Sequence, residues 1–183
     1  MFTLTGFSDE ISRNIDEQII SFQNIGLNTM EIRNINGKNI SELKHNDIIK
    51  IQKIIEKNNF FISSIASRIG KTIHSSDFDA EFQMFNKLLD YALVLDVKYI
   101  RIFSFIINKS RSRAINKNII IVLENEKGTY AEDIESCTQI MDELFSENFG
   151  LLFDIANFIK AKQFVSEAYK QLEKYIMYVH IKD

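Results

Sequence analysis

Short apolar runs alternate along the chain with longer segments in which apolar residues recur every three or four positions. The short runs are rich in β-branched residues and almost uninterrupted, which is typical of strands in a parallel sheet that helices cover. They predict seven strands, at Phe2–Phe7, Thr29–Arg33, Phe60–Ala66, Lys98–Ser104, Ile119–Glu124, Gly150–Asp154 and Tyr175–Ile181.

The longer segments predict amphipathic helices between these strands, because their apolar residues fall on one helical face. The first of these segments stops at Gly26, a residue suited to the position after a helix end. Ser41 is a preferred N-cap type and is predicted to open the second helix. Further apolar faces lie within Phe82–Ala92, Ile134–Phe145 and Phe164–Leu172.

The strand–helix alternation predicts an α/β fold built from right-handed βαβ units, and seven strands favour a TIM-barrel-like (β/α) architecture. Complete barrels of this type typically need about 250 residues, and this chain has 183. The linker 105–118 barely closes a parallel crossover, so the fourth helix is expected to be short or missing. The eighth βα unit is expected to be missing as well. Residues 1–183 are therefore predicted to form one incomplete barrel domain.

Composition narrows the possible function classes. The chain is 45% apolar and 26% charged, with a net charge of −3 and no basic stripe, which argues against a nucleic-acid partner. No apolar run approaches the roughly 20 residues that span a bilayer, and no signal peptide is recognisable, so no membrane partner is expected. Cys137 is the only cysteine, which fits a reducing cytoplasm and a buried structural thiol.

Three successive predicted strands end in polar residues that can bind a metal. Glu124 ends the fifth strand, Asp154 ends the sixth, and His180 lies near the end of the seventh. Carboxyl ends of parallel strands gather at one edge, where α/β proteins place their ligand chemistry. Two carboxylates and an imidazole suit Mn²⁺, Co²⁺, Zn²⁺ or Fe²⁺. Taken singly, the three also have structural interpretations, as a solvated strand end, a helix N-cap and a buried barrel histidine.

Other polar residues near strand ends form a candidate substrate-binding rim that could hold a hydroxylated or anionic small molecule. The candidates are Lys71, Arg101, Lys127, Asn157 and Lys182. Glu126 lies beyond the strand and is interpreted either as a rim residue or as a residue that supports the metal ligands from behind. A solvated loop edge without a ligand is the alternative interpretation of the whole rim.

Seven segments in register resemble the sugar phosphate isomerase/epimerase family with a xylose-isomerase-like TIM barrel. They are "SDEI", "MEIRNINGKNI", "SRIGK", "YIRIFSF", "VLENEKGTY", "LFDIANF" and "YVHIKD". Each is weak by itself, and the resemblance runs through nearly the whole chain without specifying a substrate.

The resemblance implies one divalent metal ion, Mn, Co, Zn, Fe or Mg, held by a Glu, an Asp, a His and a second Glu. By position, Glu124, Asp154 and His180 match the first three, and the second Glu would lie on the eighth strand. The implied reaction is proton abstraction next to the carbonyl of a sugar or sugar phosphate, through an enediolate, with Glu124 as the base. An epimerase of this type needs two acid/base groups, and the sequence offers one, so truncation is expected to impair activity.

Two other function classes compete with this one. A degenerate, non-catalytic barrel could act as a binding or structural protein and form homo-oligomers through open sheet edges. A DNA-repair endonuclease with a related barrel is disfavoured, because it needs more metal-binding histidines. His45 and His74 are the only others, and the acidic balance also opposes DNA binding.

Overall fold

The computed structural model describes residues 3–71, 78–103, 114 and 117–182. Strands and helices alternate along these residues. The strands are β1 Thr29–Ile32, β2 Asn34–Ile35, β3 Lys38–Asn39, β4 Phe61–Ala66, β5 Tyr99–Ile102, β6 Ile120–Glu124, β7 Phe149–Asp154 and β8 Ile176–His180. The α-helices are α1 Ile15–Asn24, α2 His45–Lys57, α3 Phe78–Val94, α4 Ile134–Leu144, α5 Ile155–Lys160 and α6 Val165–Leu172.

Six of the described strands form one sheet, in the order β1-β4-β5-β6-β7-β8. The pairs β1–β4, β6–β7 and β7–β8 are all parallel. Parallel strands that neighbour each other in chain order, with helices between them, are the arrangement of a (β/α) barrel. The predicted α/β, incomplete TIM-barrel-like fold is therefore confirmed.

The sequence predicts the end of α1 correctly but not the start of α2. Gly26 follows α1 with a φ of 78°, as expected for a residue that ends a helix in the left-handed region. Ser41 does not open α2, and that prediction is wrong. It lies in a 3-10 turn, and α2 begins after Lys44, whose backbone N–H donates to the Asp47 carboxylate at 3.1 Å. This contact from Asp47 places the helix start three residues later than expected.

The first predicted strand and the linker 105–118 do not appear as complete elements among the described residues. Within the described part of the segment Phe2–Phe7, the pairing is one parallel bridge, between Phe7 and Glu31, rather than a full strand. The linker 105–118 lies mostly outside the described residues, so the short or missing fourth helix stays a prediction.

Contacts divide the chain into two compact units, each with its own buried core. The first comprises residues 1–67 and 86–100, and its core includes Ile19, Met30, Ile48 and Ile65. The second comprises residues 68–85 and 101–183, and its core includes Phe85, Phe103, Phe149 and Phe158. The assignment of residues 1–183 to a single domain remains a prediction. No helix in the described part of the chain is long and apolar enough to cross a membrane.

Candidate metal centre

Glu124, Asp154 and His180 are the last residues of β6, β7 and β8, all within the second unit. The parallel register places Asp154 directly opposite His180 and Glu124 opposite Leu152. β6 and β7 are buried along their whole length, whereas β8 is half-buried or exposed up to His180, its one buried residue. All three side chains are at most 5% exposed.

The three residues converge in space. One ligand atom from each lies within 4.8 Å of the others. His180 Nδ1 is 3.3 Å from Glu124 Oε1 and 3.6 Å from Asp154 Oδ2. A tetrahedral metal with bonds near 2.1 Å separates its ligands by about 3.4 Å. The spacing and the mixed oxygen and nitrogen donors therefore fit a small divalent cation.

Each carboxylate holds one oxygen in a contact with the protein and turns the other toward the cluster. Glu124 Oε2 accepts from Arg101 Nη1 at 2.9 Å, inside a nearly fully buried ion pair. Asp154 Oδ1 caps α5 by accepting from the backbone N–H of Asn157 at 3.0 Å. Asp154 Oδ2 is buried and faces His180 and Lys182. Glu124 Oε1 and Asp154 Oδ2 are thus the oxygens that could bind a metal.

Lys182 brings a positive charge to these same two oxygens. Its Nζ lies 3.6 Å from Glu124 Oε1 and contacts Asp154 Oδ2 more closely. Burial by itself raises the pKa of the Asp154 carboxyl, but contacts with His180 and Lys182 outweigh it and hold that pKa well below its usual range. Asp154 is therefore an anion at neutral pH, the form a metal requires.

Two asparagines, Asn125 and Asn157, surround the candidate ligands. Their polarity alone does not distinguish them from loop residues. Asn125 is fully buried and exchanges two hydrogen bonds with the backbone of Asp154. The Asn157 side chain donates to the Asn125 carbonyl at 2.8 Å, to Glu126 at 3.2 Å and to Glu124 at 3.4 Å. Asn157 belonged to the predicted rim, whereas the role of Asn125 was missed.

The predicted rim cations take different positions. Arg101 is buried against Glu124, as described above. Lys71 is half-exposed, 3.7 Å from Glu126, and its Nζ lies 4.8 Å from the centre of the Phe103 ring. Arg101 also stacks on that ring, with its guanidinium carbon 4.6 Å from the centroid. Lys127 is exposed, and no contact recorded among the described residues joins it to the three candidate ligands.

Comparison with known proteins identifies a family model and solved structures that resemble this chain. A family model described as "Xylose isomerase-like TIM barrel" matches residues 106–183, which include all three candidate ligands. The resemblance to the xylose isomerase-like TIM barrels is confirmed. No protein with a curated description matches the chain by sequence.

Solved structures show the same fold over essentially the whole chain. A probable 3-DHS dehydratase from Bacillus anthracis superimposes with a TM-score of 0.80 at 13% identity, covering 100% of this chain and 73% of that one. A xylose isomerase-like TIM barrel protein from Mycobacterium smegmatis, in complex with magnesium, gives 0.80 at 13% identity, over 100% and 77% of the two chains. A 3-keto-D-glucoside 4-epimerase from E. coli gives 0.72 at 14% identity, over 100% and 80%. At these identities the similarity establishes the fold.

Proposed function

We propose that this protein binds one divalent metal ion through Glu124, Asp154 and His180 and abstracts a proton next to the carbonyl of a small sugar or sugar phosphate. The observation that carries the proposal is the convergence of three strand-end side chains, each turning a donor atom into one buried cluster. The similar folds of a magnesium-containing barrel protein and of a sugar epimerase support it.

The chain's own residues would divide the work as follows. Glu124 would take the proton, while Arg101 donates to its Oε2 and so fixes the orientation of the carboxylate. Lys182 lies beside the cluster and would contact an anionic or hydroxylated substrate group, with Lys71 farther out on the rim. A bound metal would supply Lewis-acid polarisation of the substrate carbonyl.

One observation keeps a non-catalytic function open. Among the described residues, no fourth carboxylate or imidazole joins the three candidate ligands. Three protein ligands suffice for a catalytic metal, but an epimerase of this type needs a second acid/base group. We therefore retain, as the second candidate, a barrel that binds metal or ligand without turnover. Homo-oligomer formation and a cytoplasmic location remain predictions.

Metal titration tests the binding site. Calorimetric titration with Mn²⁺, Co²⁺ and Zn²⁺ should give one site per chain, and Glu124→Gln and Asp154→Asn should each weaken binding at least tenfold. Asp142→Asn is the matched control, because Asp142 is an exposed carboxylate on α4 that contacts Lys174. Equal affinities in all four proteins would reject the site.

Deuterium exchange separates the two candidate functions. The metal-loaded protein is incubated in D₂O with a panel of ketoses, aldoses and their phosphates, and NMR follows deuterium at the carbon next to the carbonyl. Exchange that depends on Glu124 supports proton abstraction even where no net isomerisation occurs. Stoichiometric metal with no exchange on any member of the panel favours the non-catalytic function.

A further inference from the structure

Asn125 follows the last residue of β6 and lies fully buried beside the candidate metal centre. Its side chain makes a reciprocal pair of hydrogen bonds with one backbone residue of the neighbouring strand. The Asp154 backbone N–H donates to Asn125 Oδ1 at 2.7 Å, and Asn125 Nδ2 donates to the Asp154 carbonyl at 3.0 Å. The pairing of one donor and one acceptor fixes the orientation of the amide group.

These two bonds continue the pairing of β6 with β7 past the last backbone pair. The register between β6 and β7 stops at Glu124 opposite Leu152. Asn125 then presents its side-chain amide to Asp154 as a further backbone rung would. An unpaired N–H and carbonyl of Asp154 at this buried position would be costly, so the amide satisfies both groups at once.

The consequence concerns the spacing of two candidate ligands. Asn125 follows Glu124 in the chain, and its side chain is hydrogen-bonded to both the N–H and the carbonyl of Asp154. Asn157 strengthens the link, since it donates from its side chain to the Asn125 carbonyl and from its backbone to Asp154 Oδ1. Movement of Asp154 away from Glu124 therefore requires breaking the amide pair.

We propose that Asn125 is a positioning residue, which holds the Asp154 backbone against the end of β6 and so sets the Glu124–Asp154 spacing on which metal affinity depends. The proposal rests on the metal binding proposed above. Residues that orient ligands in this way typically change metal affinity 10- to 100-fold when they are replaced. We expect a loss of that size for Asn125 although it offers the metal no ligand atom.

The test compares Asn125 with a second asparagine that joins the same two strand segments at their opposite end. Asn148 Nδ2 donates to the Ile119 carbonyl at 3.3 Å, far along β6 and β7 from the cluster. The variants are Asn125→Ala, Asn125→Leu, whose side chain has the same branched skeleton but no polar atom, and Asn148→Ala. Co²⁺ affinity is measured by calorimetry, the visible Co²⁺ absorption band reports ligand geometry, and urea unfolding reports stability.

Both Asn125 variants should bind Co²⁺ 10- to 100-fold more weakly, with a changed absorption band, whereas Asn148→Ala should bind within about twofold of the wild type. The leucine variant keeps the test decisive where the alanine variant folds poorly. Wild-type affinity and spectrum in a folded Asn125 variant would overturn the inference alone. An equal loss in Asn148→Ala would overturn it too, because the effect would then be general destabilisation. A wild-type chain that binds no Co²⁺ would overturn the proposed function and the inference with it.

Discussion

Under the proposed function, Lys182 would compete with a metal ion for Asp154, so removing its charge should strengthen metal binding. The ammonium contacts Asp154 Oδ2, one of the two oxygens that face the cluster, and lies 3.6 Å from the other, Glu124 Oε1. A divalent cation bound between these oxygens would repel the ammonium and displace it toward solvent. Metal binding to the wild type therefore requires free energy to separate Lys182 from Asp154, whereas metal binding to the Lys182→Met variant does not.

The burial of the two partners sets the size of this cost. Exposed ion pairs contribute about 0–1 kcal/mol, and breaking a buried pair costs about 3–5 kcal/mol. The Asp154 carboxylate is 0% exposed, but the Lys182 side chain is 37% exposed and can reach water without crossing the core. We therefore assign the separation of Lys182 from Asp154 a cost of about 1.5 kcal/mol, between the two classes. This cost corresponds to roughly tenfold tighter metal binding by Lys182→Met than by the wild type.

Calorimetric titration of Mn²⁺ into the wild type and Lys182→Met measures this difference. Lys71→Met is the control, because its 50% exposed side chain pairs with Glu126 at 3.7 Å and is not recorded in contact with Asp154. The gain should shrink as salt is added, since the Lys182 head group is partly screened. Equal or weaker binding by Lys182→Met would refute the competition and would indicate that the ammonium instead orients the carboxylates.

Three further predictions concern residues of the second compact unit. Arg101→Met should lower the free energy of unfolding by about 3 kcal/mol, because it leaves the Glu124 carboxylate buried without its closest cation, whereas Lys71→Met should cost below about 1 kcal/mol. Urea titration followed by circular dichroism measures both, and similar losses would contradict the assigned burial. Burial, with help from nearby Asp133, raises the pKa of Cys137 to about 12, so the folded protein should react with a thiol reagent at pH 8 far more slowly than the unfolded chain. Equal rates would be inconsistent with that environment. Gly150→Ala would place a Cβ 2.6 Å from the Met177 side chain and should destabilise the protein by about 1–3 kcal/mol in the same urea assay, and an unchanged midpoint would be evidence against the close β7–β8 packing.

The candidate ligands could be found in the sequence because each ends a nearly continuous apolar run. A strand buried on both faces gives little room for charge, so a carboxylate or imidazole at its carboxyl end is conspicuous. Glu124, Asp154 and His180 recur about one βα unit apart, and parallel strands bring equivalent positions to the same edge of a sheet. Predicting these three residues required only the positions of the strand ends and the order of the strands, and both can be deduced from sequence patterns.

Residues that act through backbone contacts were harder to predict. Asn125 has the polarity of a loop residue, and its role depends on which neighbouring backbone groups lack partners, which only the three-dimensional register determines. The start of α2 was misplaced for a related reason, since Lys44 is not a favoured N-cap type and the decisive contact comes from Asp47. The hairpin β2–β3 was also missed, although Asn36 and Gly37 both have positive φ and form the asparagine–glycine turn typical of such hairpins.

The charges around the site explain why its cations lie so close to the candidate ligands. Arg101 and Lys182 form ion pairs with the buried Glu124 and Asp154 carboxylates. A divalent metal would add two positive charges to this balanced set. This excess positive charge is reduced if Lys182 moves outward. It is neutralised best if the substrate carries an anionic group that Lys182 can bind. Under the proposed function, a sugar phosphate would therefore gain more from the metal-loaded site than the corresponding neutral sugar.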